Sequence, residues 1–286
     1  MLALAKRALR SRRARYLAAA GGLTLLLLAL SLHCSSGEGA CSAAKSVIQG
    51  AGRQGEPSGR LQHKFEEIYE YGGWGLEGNG SGPGSTFNAT VSIREILGKA
   101  IEALDVNSMI DVPCGAMAWM PLLLEEVERT RPKFRYLGLD IAASVVAQNK
   151  RAFAAKAAWR FDSFDLSAQP LPRGYDLVHT RDALQHLSCP TGVAALRNLA
   201  HSGARYLLVG SYNSTANVQI ENGAHFDINL KAHPYNLDRP LAVFPEASAP
   251  GPPKFMLLYS VEELRKQDFA AMQLRCAFPQ ACPGCP

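Results

Sequence analysis

The body of this 286-residue chain lacks any excess of basic charge. The whole chain has 30 Lys and Arg against 25 Asp and Glu, a formal charge of +5. Six of those basic residues (Lys6, Arg7, Arg10, Arg12, Arg13, Arg15) precede the first acidic one, Glu38, and without them 24 basic and 25 acidic residues leave a balance of −1. Such a body offers no general attraction to a phosphate backbone, so nucleic acid is excluded as its main partner. Cysteine is also sparse. Seven cysteines over this length do not make a disulfide scaffold, and the lone Cys282-x-x-Cys285 pair has no second ligand pair for zinc, so no metal is expected. No G-x-G-x-x-G follows the first apolar strand, and a pyrophosphate cradle is missing with it. At 47% hydrophobic and 19% charged residues the chain is neither disordered nor collagen-like, and its length suffices for a full core.

What is present divides into segments. Residues 1–15 form a basic tail, expected to stay cytosolic. Residues 16–33 hold a Leu-rich run free of charge from Tyr16 to Leu32, at the short limit for a helix that crosses a membrane. A basic flank before one apolar helix predicts a signal anchor with everything beyond it lumenal, in the membrane of the Golgi or endoplasmic reticulum. A cleaved signal and a transit peptide to mitochondrion or plastid are the alternatives. Residues 34–63, rich in Gly, Ser and Ala, read as a flexible stem. Residues 64–275 make up the catalytic body, and 276–286 a Cys/Pro-rich tail. The odd number of cysteines leaves one unpaired, with Cys114 the candidate, and Cys276, Cys282 and Cys285 are expected to hold one disulfide among them. Sequons at Asn79, Asn88 and Asn213 hint at secretion.

In the body, apolar strands at 107–112, 134–139, 158–161, 175–180 and 206–210 alternate with helices at 119–130, 142–156 and 190–199. A short helix at 64–71, a Gly-rich loop at 72–86 and an amphipathic helix at 92–104 come first, the last with Ser92 and Glu95 at capping-box spacing. A strand at 255–259 and a helix at 261–269 close the body. Alternation of this kind predicts an α/β fold, a mostly parallel sheet with helices on both faces. Residues 211–253 between the last strands show no helical period and read as a long functional loop.

Ligands of such sheets bind at the carboxyl ends of the strands. There the sequence places Asp111, the Cys114-Gly115 turn and Asp140, 29 residues after Asp111. Gly115 admits a close backbone approach and Asp140 can accept hydrogen bonds from vicinal ribose hydroxyls. Together they suit an adenosine-containing ligand without a pyrophosphate.

The ordered set D-x-P-C-G, G-L-D, F-D-L and Y-D-L-V-x-x-R-D-x-L-x-H-L resembles the class I S-adenosylmethionine-dependent methyltransferases. More closely it resembles a membrane-anchored subgroup with W…G-S-G-S-x-x-T ahead of D-x-P-C-G-x-x-x-W-M. The resemblance spans about residues 65–260. It implies a Rossmann-like fold and S-adenosyl-L-methionine as cofactor. Asp111, Cys114 and Gly115 would wrap the methionine arm, Asp140 the ribose, and Asp165 the adenine amino group, with Asp162 as the alternative. Trp74 and the stretch from Ser81 to Thr86 would form a lid. Ala116-Met117-Ala118 stands where many of these enzymes have a second glycine. Arg181 is counted on the cofactor side, or as a holder of the strand-to-loop connection or of an acceptor oxygen.

An oxygen acceptor needs its proton removed, and Asp182 and His186, one helical turn apart, are the candidates for catalysis. His186 has a suitable pKa range, and Asp182 either acts itself or orients the imidazole. In the loop after strand five, Tyr212, Asn229 and Asn236 are the acceptor-side choices, because amides and phenols suit hydroxyl-rich ligands. The expected function is methyl transfer to a hydroxyl, of a glycan sugar in the secretory pathway. The same chemistry on a small metabolite or lipid is the alternative, and a non-catalytic membrane-bound scaffold ranks below both.

Overall fold

The seven strands of the central sheet follow the order β3-β2-β1-β4-β5-β7-β6. This computed structural model describes residues 58–247 and 253–277. The expected anchor at 16–33, the basic tail, the stem up to residue 57, and Cys282 and Cys285 lie outside them. Strands β1 (Ser108–Asp111), β2 (Arg135–Asp140), β3 (Trp159–Ser163), β4 (Leu177–Thr180) and β5 (Tyr206–Tyr212) run parallel. Strand β7 (Lys254–Ser260) inserts antiparallel between β5 and β6 (Ala242–Glu246). Around them in chain order are α1 (Ser58–Glu70), α2 (Val91–Ala103), α3 (Met120–Thr130), α4 (Ala143–Ala152), α5 (Cys189–Ala200), α6 (Val261–Leu264) and α7 (Phe269–Ala277). The expected α/β fold with helices on both faces is present.

Strand alternation divides the core into two layers. Ile110, Val178, Leu207, Val209 and Leu257 pack with Val193, Leu196 and Leu199 of α5. Met109, Leu177, Leu208 and Leu258, their neighbours along the same strands, pack with Ile93, Leu97 and Ile101 of α2 and Leu123 and Leu124 of α3. Side chains that alternate faces on a central strand require apolar residues at every position, so these strands carry no polar/apolar alternation. Strand order reverses at β1, whose neighbours are β2 and β4, and a crevice opens there at the carboxyl ends.

Several boundaries differ from expectation. Helix α1 begins at Ser58, inside the segment expected to be stem, because Leu61 and Phe65 enter the core. The capping box does not form. Thr90 is the N-cap of α2, and Ser92 instead accepts the Ala247 backbone N–H at 3.2 Å. The expected irregular loop contains β6, whose short sequence pairs only through the distant β7. The closing helix is two, α6 and α7, with a turn between them. Cys276 bonds to Cys189 at the start of α5, 87 residues away, so of the late cysteine trio only Cys282 and Cys285, outside the described residues, are left for the expected bond. Proximity in space, set by α7 packing on α5, decided that partner rather than proximity in sequence. Cys114 is the free cysteine among the described residues, as expected.

Candidate cofactor and acceptor site

A cleft of about 940 Å³, open mouth included, lies over the ends of β1, β2 and β4. Its floor is the turn after β1. Gly115 has φ +55°, and a Cβ there would sit 2.8 Å from Ser81 Oγ, so a side chain would be strained and crowded there. The backbone N–H of Gly115 donates to Asp140 Oδ2 at 2.9 Å, that of Ala116 to Ser81 Oγ at 3.0 Å, and Asn149 Nδ2 donates to the Gly115 carbonyl at 2.8 Å. Met117, at the expected second-glycine position, also has a left-handed backbone, φ +55°. It is buried, and the Tyr136 hydroxyl lies 3.1 Å from its sulfur, so packing holds a conformation that glycine would adopt unaided.

Asp140 ends β2 in the cleft wall. Its Oδ1 accepts the Ala142 N–H at 3.0 Å and its Oδ2 that of Gly115, so each oxygen retains a lone pair for a ligand hydroxyl. Burial pushes its carboxyl up to about 6, against the lowering effect of those two N–H groups. The neutral carboxyl is thus the form that folding favours. Its contribution to stability is full below the unfolded value of 3.8 and is lost as pH rises through about 6. Asp165 also lines the cleft and accepts from the backbone N–H and hydroxyl of Ser167 at 2.9 and 2.6 Å. The alternative, Asp162, is exposed outside the cleft and pairs with Lys150 at 3.0 Å. Asp111 lines the cleft too, but protein groups occupy both its oxygens: His179 Nδ1 at 2.7 Å and the Tyr136 hydroxyl at 2.8 Å.

The Gly-rich loop covers one side. Trp74 packs against Phe65, Tyr69 and His186, with ring centroids 5.9, 5.6 and 5.0 Å away. Ser81 belongs to the wall, and Ser85 with it. Thr86 does not. Its hydroxyl donates to the Pro83 carbonyl at 3.0 Å and shapes the loop. Sequence reading missed Tyr69, whose hydroxyl lies 3.2 Å from Ser81 Oγ. Its helix is anchored by Glu66, which accepts from the backbone N–H and hydroxyl of Ser144 at the N-terminus of α4.

The remaining wall is a buried charge cluster. Arg181 Nε and Nη2 donate to Glu246 Oε1 at 2.9 and 2.6 Å, and Arg181 Nη1 lies 2.8 Å from Asp182 Oδ2. Lys254 Nζ meets Asp182 Oδ1 at 2.6 Å and Glu246 Oε1 at 3.2 Å. Gln185 Nε2 adds a bond to Asp182 Oδ1 at 3.0 Å. Burial alone would raise the Asp182 carboxyl, but Arg181 and Lys254 together hold it well below the usual carboxylate range. With φ +54° and its carboxylate held by three side chains, Asp182 shapes the loop and is a poor proton acceptor. Its hydrogen bonds go to Lys254 and Gln185, while its charge still acts on the His186 imidazole. Arg181 lines the cleft and is bound to Glu246 and Asp182, contacts that suit the strand-to-loop holding role. Lys254 and Glu246 were missed because neither sits in a motif, and only the β6–β7 pairing brings them to β4.

His186 ends the short turn Leu184–His186 and lines the cleft beside Trp74. Its Nδ1 lies 2.9 Å from the Ala224 carbonyl. A carbonyl only accepts, so Nδ1 carries the proton and Nε2 presents a lone pair. Burial, with His225 alongside, lowers its pKa below the ordinary histidine value, against the raising effects of the Ala224 carbonyl and Asp182. The imidazole is thus in its base form at neutral pH.

The acceptor-side choices are not brought to the cleft. Asn229 donates to the Ser214 carbonyl at 2.8 Å and accepts the Lys231 N–H at 3.0 Å, which fixes the loop. Asn236 is exposed with φ +50°. Tyr212 is half-buried, 3.4 Å from Gln185 Nε2 and under Lys254, behind the wall. Side chain-to-backbone bonds satisfy Asn229 locally, a role that composition does not distinguish from ligand contact.

No protein-family model matches the chain, and no curated protein is similar to it in sequence. Solved structures are similar at low identity. The methyltransferase domain of bacterial CtHen1-C is 13% identical, with TM-score 0.45, over 59% of this chain and 96% of that one. PigF with S-adenosylhomocysteine (SAH) is 11% identical, with TM-score 0.45, over 60% of this chain and 56% of that one. The trans-methyltransferase CalH in complex with SAH is 15% identical, with TM-score 0.45, over 68% and 58%. The chain thus spans little more than half the length of PigF and CalH. By its own strand order, with an antiparallel seventh strand between the fifth and sixth, the described domain has the Rossmann-like class I methyltransferase fold.

Proposed function

We propose that this chain is an S-adenosylmethionine-dependent O-methyltransferase that acts on a glycan hydroxyl in the secretory pathway. The observation that carries the cofactor reading is the charge of the cleft wall: Asp111, Asp140, Asp165 and Asp182 face it against Arg181 as the guanidinium. That wall suits a cationic adenosyl ligand and opposes a phosphate. Asp140 would hold the ribose hydroxyls, Asp165 the adenine amino group, and the Gly115 turn the amino-acid arm. The cofactor supplies an electrophilic methyl when bound. His186 Nε2 takes the proton of the acceptor hydroxyl as its oxygen gains the methyl, and Trp74 with its loop excludes water from the reacting groups.

The sugar reading is supported by Trp74, an aromatic face beside the base, and by a cleft wall without surplus cations. The Cys189–Cys276 disulfide and exposed asparagines at all three sequons support an oxidising, lumenal setting, with residues 16–33 as the anchor. Labelled methyl transfer from S-adenosylmethionine to released N- and O-glycans by the full-length protein, read as a mass gain of one methylene, is the expected result. Label found only in small metabolites or lipids would overturn the glycan reading, and no SAH binding at all would overturn the cofactor reading.

The raised Asp140 carboxyl gives a pH test, since only the ionised form accepts from two hydroxyls. With its value at about 6, SAH affinity is expected to fall about tenfold from pH 7 to pH 5 in titration calorimetry, and Asp140→Asn is expected to abolish that dependence. A flat wild-type profile would remove Asp140 from the ribose.

A further inference from the structure

The cleft wall contains a second imidazole that the chemistry above leaves unused. Parallel pairing of β1 with β4 sets His179 opposite Asp111. Its Nδ1 lies 2.7 Å from Asp111 Oδ1, and a carboxylate oxygen only accepts, so the ring proton on that side belongs to Nδ1. The Tyr136 hydroxyl donates to the other oxygen at 2.8 Å. The ring is packed edge-on against Trp119, centroids 6.1 Å apart and planes at 84°, which fixes its rotation. The opposite nitrogen, Nε2, is buried and has no hydrogen-bond partner among the described residues. A buried polar atom left without a partner is costly, and native structures retain one where a ligand or water completes it.

We infer that His179, rather than Asp111, receives the amino-acid arm of the cofactor, with Nε2 accepting from its α-ammonium, and that Asp111 and Tyr136 are positioning residues behind it. The inference rests on the cofactor reading proposed above. In the neutral ring with its proton on Nδ1, Nε2 offers a lone pair and needs a donor, and the ammonium is the donor group of that arm. The carboxylate of the same arm offers only acceptors. The excess of carboxylates around the cleft favours the cationic group at the same place. Asp111 serves indirectly: it fixes the tautomer and orientation of the ring, as a carboxylate does behind other functional imidazoles.

Titration calorimetry of the full-length protein with SAH and with two analogues, one without the amino group and one without the carboxyl group, tests this. In the wild type, loss of the amino group is expected to weaken binding at least about tenfold, or about 1.4 kcal/mol. In His179→Phe, which retains a planar ring against Trp119, that discrimination is expected to vanish while discrimination by the carboxyl group persists. Undiminished amino discrimination in the variant, or loss of carboxyl discrimination instead, overturns the inference. Nitrogen NMR of the wild type needs no variant: the Nε2 resonance of His179 is expected to move with SAH and not with the deaminated analogue, and equal shifts overturn the inference. Failure of SAH to bind the wild type is a different result, which removes the cofactor reading itself.

Discussion

Lys254→Met is expected to destabilise the domain by about 3–5 kcal/mol, read as a shift in the midpoint of urea unfolding at pH 7. Lys254 is 3% exposed, and its ammonium lies between the Asp182 and Glu246 carboxylates, the second of them fully buried. Removal of one cation leaves a single guanidinium for two carboxylates, one of them fully buried. Asp182 then loses one of the groups that keep its carboxyl low and its left-handed backbone in place. Lys150→Met is the control. Its partner Asp162 is also a carboxylate at 3.0 Å, but both side chains are more than half exposed, so a change of less than about 1 kcal/mol is expected. Equal effects from the two substitutions would show that burial does not govern the cluster. A loss of this size consumes a large share of a stability that is ordinarily about 5–15 kcal/mol, so expression of the variant should fall as well.

His186→Ala is expected to lower the rate of methyl transfer by about 10²–10⁴-fold while SAH still binds within about threefold of the wild type. The separation matters because His186 meets Trp74 and the Ala224 carbonyl, not the groups expected to hold the nucleoside. The pH profile has a determined sign. Protonation of Nε2 removes the base, and burial lowers the pKa, so at saturating S-adenosylmethionine the acid limb of the rate should fall below the ordinary histidine range and the rate should be level around neutrality. Asp182→Asn should also slow transfer, through loss of the Arg181 and Lys254 contacts that shape the loop, but its remaining activity should retain that acid limb. Turnover by His186→Ala within tenfold of wild type, or an acid limb that disappears with Asp182→Asn, would assign the proton transfer elsewhere.

Much of the site was legible because it is local. Asp111, Gly115 and Asp140 stand at the ends of strands that announce themselves by apolar runs, and a strand end points its next residues into the crevice whatever the rest of the chain does. Trp74 and Ser81 were legible from the Gly-rich loop, which admits the backbone turns found there. Thr86 and Asn229 lie outside the cleft lining and bond their own backbone, and a hydroxyl or amide has the same composition signature in either role. Tyr69 gave no signal beyond one more aromatic on an amphipathic helix.

The tertiary structure alone decided the electrostatics. An α/β body near charge neutrality, acidic residues at three strand ends and a histidine after the fourth follow from local patterns of residues. Whether each carboxylate faces a ligand or another side chain depends on strand pairing across long separations. Asp111 meets His179 through 68 intervening steps of chain, and Asp182 meets Lys254 through 72. Those pairings give Asp111 and Asp182 partners within the protein, and they placed Lys254 and Glu246 beside Arg181 and Asp182, where no motif would have put them. Local periodicity fixes which face a side chain takes, but its partner is chosen by the crossovers and the antiparallel return of β7, and that partner sets its charge and its task.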